Sequence, residues 1–188
     1  RFTLPGVQIV KKDGFGALVT MQTVPPPAWA RGPDGFPAAP ELITGYIDRV
    51  LATYGREIQY YDFQNEPDLT LPKTATAAAS FAALLKTAHS RFRGTADKLV
   101  FDVSGDGLGL AAEVMKLVPG ACDVFAPHPY SNPRYLGPGG MASGPELGGM
   151  QERLEEACAL FKTGRLGNEL WIGELGWGLD DTVPFDSE

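Results

Sequence analysis

Five short stretches rich in β-branched and aromatic residues recur along the chain and alternate with stretches of helical periodicity. Short runs of this composition predict β-strands. The predicted strands cover residues 16–22, 58–64, 98–103, 123–126 and 170–174.

Between these runs, apolar residues recur at helical spacing. The first such segment begins at Pro40, and its apolar positions, which include Ile43, Ile47 and Val50, fall three or four residues apart until Gly55 ends it. This spacing places the apolar side chains on one face of a helix. Three further helices are predicted over residues 76–92, 110–118 and 146–162.

The alternation of strands and helices predicts βα units and a mostly parallel sheet, which occurs in doubly wound folds and in barrels. Long loops rich in Pro and Gly follow three strands, at residues 24–40, 67–74 and 129–145, whereas the loops that lead into strands are short. Barrels build their active sites from loops at one such end. No GxGxxG motif opens a helix after the first strand, which disfavours a dinucleotide-binding fold. We therefore expect part of a (β/α)8 (TIM) barrel, because a complete barrel needs roughly 200–250 residues and this chain has 188.

The composition is that of a folded protein with an acidic surface. Hydrophobic residues make up 44% of the chain, charged residues make up 21%, and the net charge is −7. A negative surface disfavours nucleic acids and anionic membranes as main partners. No apolar run reaches the ~18 residues of a transmembrane helix. We therefore expect no nucleic acid binding and no membrane insertion.

Two cysteines, Cys122 and Cys158, are too few for a disulfide framework and do not form a CxxC pair. They could form one disulfide bridge, or they could remain two buried thiols. The frequency of free cysteine in protein cores favours the thiols.

A glutamate follows the second predicted strand, in the sequence Gln64-Asn65-Glu66-Pro67. Because strand side chains alternate, Asp62, Gln64 and Glu66 are expected on one face of the sheet. Such polar side chains indicate a wet, functional lumen, because burying them without partners would be costly. The alternative is structural, with Asn65 as a helix N-cap and Pro67 in the first turn.

A second glutamate, Glu174, ends the fifth predicted strand. Its structural alternative is a solvated carboxylate in a Gly-rich turn. Two strand-end glutamates, Glu66 and Glu174, in one βα protein are the arrangement that glycoside hydrolysis uses.

Four further residues are candidates for substrate binding. His128 and Tyr130 follow the fourth strand, and Trp29 and Trp177 lie on loops after strands, where aromatic rings can stack on sugars. A structural turn and simple packing are the alternatives. The other histidine, His89, lies in a predicted helix, and two isolated histidines form no HExxH motif, so we expect no metal site.

Together these motifs resemble those of clan A glycoside hydrolases, the group of barrel enzymes that includes families 5 and 39. Asn65-Glu66-Pro67 resembles the motif at the end of the clan's fourth strand. Residues 25–29, 123–130 and 172–177 resemble its segments at the third, sixth and seventh strands. The resemblance covers nearly the whole chain as strands three to seven. It implies one catalytic domain over residues 1–188 that lacks N-terminal strands one and two and C-terminal strand eight, so that the remaining part of a larger chain would complete it.

The resemblance also implies a mechanism. It assigns retaining hydrolysis of O-glycosidic bonds through a covalent glycosyl-enzyme, with Glu66 as acid/base and Glu174 as nucleophile. Asn65 would bind the sugar 2-hydroxyl, and His128 and Tyr130 would contact the substrate or the nucleophile. The expected partner is a carbohydrate, and the chemistry requires no metal or other cofactor.

Two other functions remain open. A catalytically weak or inactive carbohydrate-binding barrel would use the same cleft and aromatic residues. A non-glycosidic hydrolase would need a serine or cysteine nucleophile, but the chain has no GxSxG motif. The first ten residues lack the charged-then-apolar order of a signal peptide and do not decide the compartment. Our expectation is a secreted or periplasmic protein that degrades polysaccharide.

Overall fold

The five predicted strands form one parallel sheet. The structure is a computed structural model and describes residues 4–33, 35–130 and 150–175. The strands are β1 (Leu18–Met21), β2 (Tyr60–Phe63), β3 (Lys98–Ser104), β4 (Val124–His128) and β5 (Glu169–Leu170). Their order in the sheet is their order in the chain, and every neighbouring pair is parallel. The α/β class and the parallel sheet are thus confirmed, while the strands of the described part do not close into a full barrel.

The four predicted helices are present, and two further α-helices were not predicted. The α-helices are α1 (Leu4–Lys12), α2 (Thr44–Tyr54), α3 (Pro67–Thr70), α4 (Ala75–Phe92), α5 (Leu108–Leu117) and α6 (Met150–Phe161). Two 3₁₀ turns, Ala28–Ala30 and Pro40–Ile43, lie in the long loop after β1. Helix α4 begins where Thr74 accepts a hydrogen bond from the backbone N–H of Ala77 at 3.2 Å, as an N-cap residue does. None of the helices in the described part of the chain has both the length and the apolarity to cross a bilayer.

One face of the sheet carries the main core. Strand alternation directs Phe63, Phe101 and Phe125 to this face. The rings of Phe63, Phe81, Phe101 and Phe125 follow one another with centroid separations of 5.9, 5.7 and 6.0 Å. All four side chains are fully buried. Because Phe81 belongs to α4, this row of rings fixes α4 across the middle of the sheet.

The opposite face carries the polar residues of the same strands. A small apolar cluster of Val100, Val124 and Ala126 lies there. Asp62 and Asp102 alternate with the aromatic residues of β2 and β3, so they also point to this face. Polar side chains on this second face therefore project from several strands toward one region.

Two predicted strands end earlier than expected. β2 ends at Phe63, because Gln64 and Glu66 have positive φ angles of 66° and 43°. β5 has only two residues. The chain nevertheless stays beside β4, because the N–H groups of Trp171 and Gly173 donate to the carbonyls of Phe125 and Pro127 at 2.9 and 3.2 Å.

The two cysteines are free thiols, which is the favoured of the two alternatives. Cys122 is buried and Cys158 is half-buried. Burial raises the pKa of the Cys122 thiol to about 12.

Candidate active site

The ends of β2, β4 and β5 bring four predicted residues together. His128 is the last residue of β4, and Tyr130 follows it. Glu66 lies three residues after β2, and Glu174 lies four residues after β5. Because the strands are parallel, their carboxyl ends meet at one edge of the sheet, where active sites of such folds are built.

The backbone of Glu66 adopts a left-handed conformation, with φ 43° and ψ 58°, immediately before Pro67 opens α3. The structural alternative for this segment is therefore correct in part, since a helix does begin here, with Glu66 rather than Asn65 at its N-cap position. A positive φ is uncommon for residues other than glycine. Such a strained conformation persists only where its surroundings hold it, and it is frequent at functional sites.

His128 lies between the two glutamates. Its Nδ1 atom is 3.0 Å from Oε1 of Glu66 and 3.7 Å from Oε2 of Glu174. The imidazole is almost completely buried, at 2% exposure. Because both neighbours of Nδ1 are carboxyl oxygens, an Nδ1–H group can donate a hydrogen bond to Glu66.

Tyr130 fixes the second glutamate. Its hydroxyl donates to Oε2 of Glu174 at 2.8 Å. This hydrogen bond, followed by burial and the charges of Glu174 and Glu66, raises the pKa of the Tyr130 phenol. The phenol therefore stays protonated and remains a donor to the carboxylate.

The two carboxyl groups approach each other closely. One oxygen of Glu66, one oxygen of Glu174 and a ring nitrogen of His128 all lie within 4.8 Å of one another. A cation could be considered at such a cluster. However, the oxygens already have protein partners, since Glu66 contacts His128 and Tyr130 donates to Glu174. These hydrogen bonds already orient the two carboxyl groups.

Gly173 allows the chain after β5 to approach β4. A Cβ atom at this position would lie 2.7 Å from Nε2 of His128 and 2.8 Å from the carbonyl oxygen of Ala126. Real Cβ atoms essentially never come this close to other atoms. Glycine at 173 is therefore what lets Glu174 reach His128.

Two buried aspartates lie beneath the cluster; Asp62 was expected on the face that carries the site, whereas Asp102 was not singled out from the sequence. Oδ1 of Asp102 accepts the backbone N–H of Glu66 at 2.6 Å, and Oδ2 lies 3.6 Å from Nε2 of His128. Asp62 is hydrogen-bonded to Asp102. Burial, and then the charge of the neighbouring aspartate, raises the pKa of Asp102 to about 10, and burial raises that of Asp62 to about 6. The sequence feature that could have pointed to Asp102 is its place as an acidic residue inside the apolar run of β3.

A buried arginine supports Tyr130. Arg153 of α6 donates from Nη1 to the backbone carbonyl of Tyr130 and from Nη2 to Asp106 at 2.7 Å. Arg153 is largely buried. Since an unpaired buried charge is costly, these two contacts tie α6 to the loop after β4 and to the loop after β3.

Asp68 links the segment after Glu66 to β3. It accepts hydrogen bonds from the backbone N–H of Ser104 at 2.8 Å and from the Ser104 hydroxyl. The contact of Glu66 with Asp102 and that of Asp68 with Ser104 lie on either side of Pro67. Together they hold the start of α3 against the end of β3.

The expected position of Gln64 on the lumen face is wrong. Its Oε1 atom accepts the backbone N–H groups of Thr23 and Val24 at 2.8 and 2.9 Å, and its Nε2 atom donates to the carbonyl of Val24 at 3.0 Å. The positive φ of Gln64 ends the strand alternation. This side chain therefore fixes the loop after β1.

Two of the three remaining predicted residues, Asn65 and Trp29, lie in the described part of the chain. Asn65 is half-buried. Trp29 is 78% exposed and lines a groove of about 490 Å³ together with Tyr46 and Arg49. Glu66, His128, Tyr130 and Glu174 are not among the groove's lining residues. Trp177 lies outside the described residues.

Comparison with known proteins gives a distant similarity of fold. No protein-family model matches the chain, and no curated protein matches it. Among solved structures, one described as the Ignisphaera aggregans GH53 catalytic domain has a TM-score of 0.46 and 16% sequence identity. The match covers 88% of this chain and 64% of that structure, so the chain spans less than two thirds of its length. At this identity and TM-score, the similarity does not bear on the chemistry of the site.

Proposed function

We propose that this chain is the catalytic part of a retaining glycoside hydrolase built on part of a (β/α)8 barrel. The observation that carries the proposal is the approach of Glu66 and Glu174, which place one oxygen each within 4.8 Å of one another. Carboxyl groups of retaining enzymes lie about 5–5.5 Å apart, whereas inverting enzymes need about 6.5–9.5 Å to admit a water molecule. The short separation supports direct attack on the sugar.

In the first step, Glu174 attacks the anomeric carbon as a carboxylate and forms a covalent glycosyl ester. Glu66 donates its proton to the glycosidic oxygen, and the leaving group departs as an alcohol. In the second step, Glu66 removes a proton from water, and the water oxygen displaces Glu174 from the same carbon. Two inversions at the anomeric carbon give net retention.

Tyr130 and His128 prepare the two glutamates for these steps. The Tyr130 hydroxyl donates to Oε2 of Glu174 and orients the nucleophile. The Nδ1 atom of His128 lies within hydrogen-bond distance of Glu66 and stabilises its carboxylate after the proton has left. Catalysis by such positioned donors needs no metal ion.

Substrate binding is proposed for residues beside this cluster. Asn65, next to Glu66, would hydrogen-bond the sugar 2-hydroxyl. Trp29 and Trp177 would stack on sugar rings further from the scissile bond. The substrate is a carbohydrate, and the missing strands would come from the remaining part of a larger chain. A secreted or periplasmic location and a role in polysaccharide degradation complete the proposal.

The second candidate is a carbohydrate-binding barrel with little or no turnover. The observation that favours it is the groove around Trp29 and Tyr46, whose exposed aromatic rings could hold a sugar without any contribution from Glu66 or Glu174. Binding of an oligosaccharide that persists in the absence of hydrolysis would support this candidate.

A panel of aryl glycosides tests the proposal, with aryl esters as the comparison. Because an incomplete barrel would be weakly active, both the 188-residue chain and the full-length protein that contains it are assayed. Glu174→Ala is expected to abolish turnover on every substrate. Glu66→Ala is expected to lose about 10²–10⁴-fold where the leaving group needs protonation, and less with activated aryl groups.

Added azide distinguishes the two roles. In Glu66→Ala, azide is expected to speed breakdown of the glycosyl-enzyme and to give a glycosyl azide with the configuration of the substrate. An inverted azide product, or equal losses on activated and unactivated substrates, would show that the roles are wrongly assigned. Hydrolysis of esters but not of glycosides would exclude glycosidase function.

A further inference from the structure

Two aspartates lie buried beneath the glutamates. Asp62 of β2 and Asp102 of β3 are each only 3% exposed. They are hydrogen-bonded to each other, and Asp62 also bonds Thr20 of β1. Among the residues that the structure describes, Oδ1 of Asp62 has no hydrogen-bond partner. Neither aspartate has a role in the two chemical steps proposed above.

Asp102 contacts the backbone of Glu66 and faces the ring of His128, which is hydrogen-bonded to Glu66. Its Oδ1 atom accepts the N–H of Glu66 at 2.6 Å, at the point where the backbone is left-handed. Its Oδ2 atom faces Nε2 of His128 at 3.6 Å, beyond hydrogen-bond distance. The strongest contact that Asp102 makes to the site is therefore the one that holds the strained backbone of Glu66.

The charge around this pair favours a proton on it. Four carboxyl groups face one another here: Asp62, Asp102, Glu66 and Glu174. The basic side chain of His128 lies beside them, with Nε2 3.6 Å from Oδ2 of Asp102. Like charges at short range disfavour ionisation of every member, and burial adds to the effect. Asp62 and Asp102 are the least exposed of the four, and burial raises the pKa of both carboxyl groups.

We propose that Asp102 is a positioning residue that acts as a neutral acid, shares its proton with Asp62, and holds the left-handed backbone of Glu66 in place. This inference rests on the proposed function in one respect, which is that Glu66 is the acid/base residue. In its neutral form Asp102 keeps one oxygen as acceptor for the Glu66 N–H and donates its proton to Asp62. The pair then carries one negative charge beside the two glutamates instead of two.

Two substitutions of Asp102 separate positioning by a neutral group from the effect of a charge. Asp102→Asn keeps an acceptor oxygen and offers N–H donors toward Asp62, so it imitates the neutral acid. Asp102→Ala removes the acceptor. We expect Asp102→Ala to lower kcat by about 100-fold, as a displaced catalytic group does, and Asp102→Asn to recover most of that loss with an unchanged pH profile.

Asp123→Ala is the matched control. Asp123 also accepts a strand N–H, that of Leu99 at 2.9 Å, but it lies before β4, at the opposite end of the sheet. Its loss should reduce stability without the change in kcat. If Asp102→Asn is as impaired as Asp102→Ala while both are folded, or if Asp102→Ala keeps the wild-type kcat, the proposal is overturned.

Two readouts do not depend on any glycosidase activity. Infrared spectra of the wild type at neutral pH should show the carbonyl stretch of a protonated carboxylic acid, and a component of this band that persists in Glu66→Ala should disappear in Asp102→Asn. Amide hydrogen exchange at Glu66 should be slow in the wild type and in Asp102→Asn, and fast in Asp102→Ala. If no glycoside is cleaved but both signals are found, the proposed function fails and the positioning role stands. If Asp102→Ala does not fold, the wild-type signals decide. A missing band or an unprotected Glu66 amide overturns the proposal.

Discussion

Gly173→Ala is the substitution that most directly perturbs the assembly of the site. Gly173 lies against β4 and immediately precedes Glu174, so its backbone sets where the proposed nucleophile stands. The added methyl group would meet Nε2 of His128 at 2.7 Å and the carbonyl oxygen of Ala126 at 2.8 Å. Neither atom can yield easily, because one belongs to a strand backbone and the other to a buried ring held between two carboxyl groups.

The magnitude follows from these distances. Ordinary contact lies at about 3.5 Å or more, so the chain after β5 must retreat from β4 by roughly half an ångström or more. Overpacking of this kind costs about 1–3 kcal/mol of unfolding free energy. A catalytic group misplaced by about 1 Å loses roughly 100-fold in rate. We therefore expect kcat to fall by one to two orders of magnitude, with a smaller change in KM.

The assay is steady-state kinetics on the best aryl glycoside, together with thermal unfolding. Gly109→Ala is the control, because a Cβ atom there meets nothing within 4 Å. Alanine also favours the helix over glycine by about 1 kcal/mol. Gly109→Ala should therefore unfold at the wild-type temperature or above and retain its kcat. A Gly173→Ala protein with the kcat and stability of the wild type would refute the close packing of Glu174 against His128.

Three further predictions concern single contacts. Tyr130→Phe removes the donor to Glu174 and should lower kcat by about 10–100-fold, the equivalent of about 1.5–3 kcal/mol for a hydrogen bond to a charged group, while a circular dichroism spectrum stays unchanged. Gln64→Leu leaves buried backbone groups of the loop after β1 unpaired and should destabilise the protein by about 1–3 kcal/mol in urea unfolding; an unchanged midpoint would contradict the hydrogen bonds of Gln64. Asp62 and Asp102 have raised pKa values in the folded state. The free energy of unfolding of the wild type should therefore fall, relative to that of the double variant Asp62→Asn/Asp102→Asn, as the pH rises from about 4 through about 6 and toward about 10. A difference between the two proteins that is constant with pH would contradict the raised pKa values.

The elements with strong periodicity were predictable from the sequence. The runs that contain Phe63, Phe101 and Phe125 are strands because their alternation matches a sheet with one aromatic face. Helix α1, Leu4–Lys12, was not predicted, because its Pro, Gly and β-branched residues have low helix propensity. It forms nonetheless, and its Val7 is buried in the core.

The proximity of Glu66, His128 and Glu174 also follows from sequence, because the ends of parallel strands meet at one edge. The predicted position of Gln64 was wrong for a specific reason. Strand alternation was extended to residues 64 and 66, but both have positive φ, which is uncommon for non-glycine residues and has no local sequence signal. The role of Asp102 was hidden for another reason. Its role depends on which residues of the neighbouring strands it faces. The register of the sheet sets those neighbours, and the register cannot be read from the sequence around Asp102.

Trapping of the covalent intermediate tests the central claim most directly. A 2-deoxy-2-fluoro glycoside with an activated aryl leaving group forms the glycosyl-enzyme but slows its hydrolysis, so the sugar remains attached. Peptide mass spectrometry is then expected to find the added sugar on Glu174, and Glu174→Ala is expected to remain unlabelled. A label on Glu66 or on another side chain would contradict the assignment of the nucleophile. Hydrolysis with inversion and no label on any residue would contradict the retaining mechanism itself.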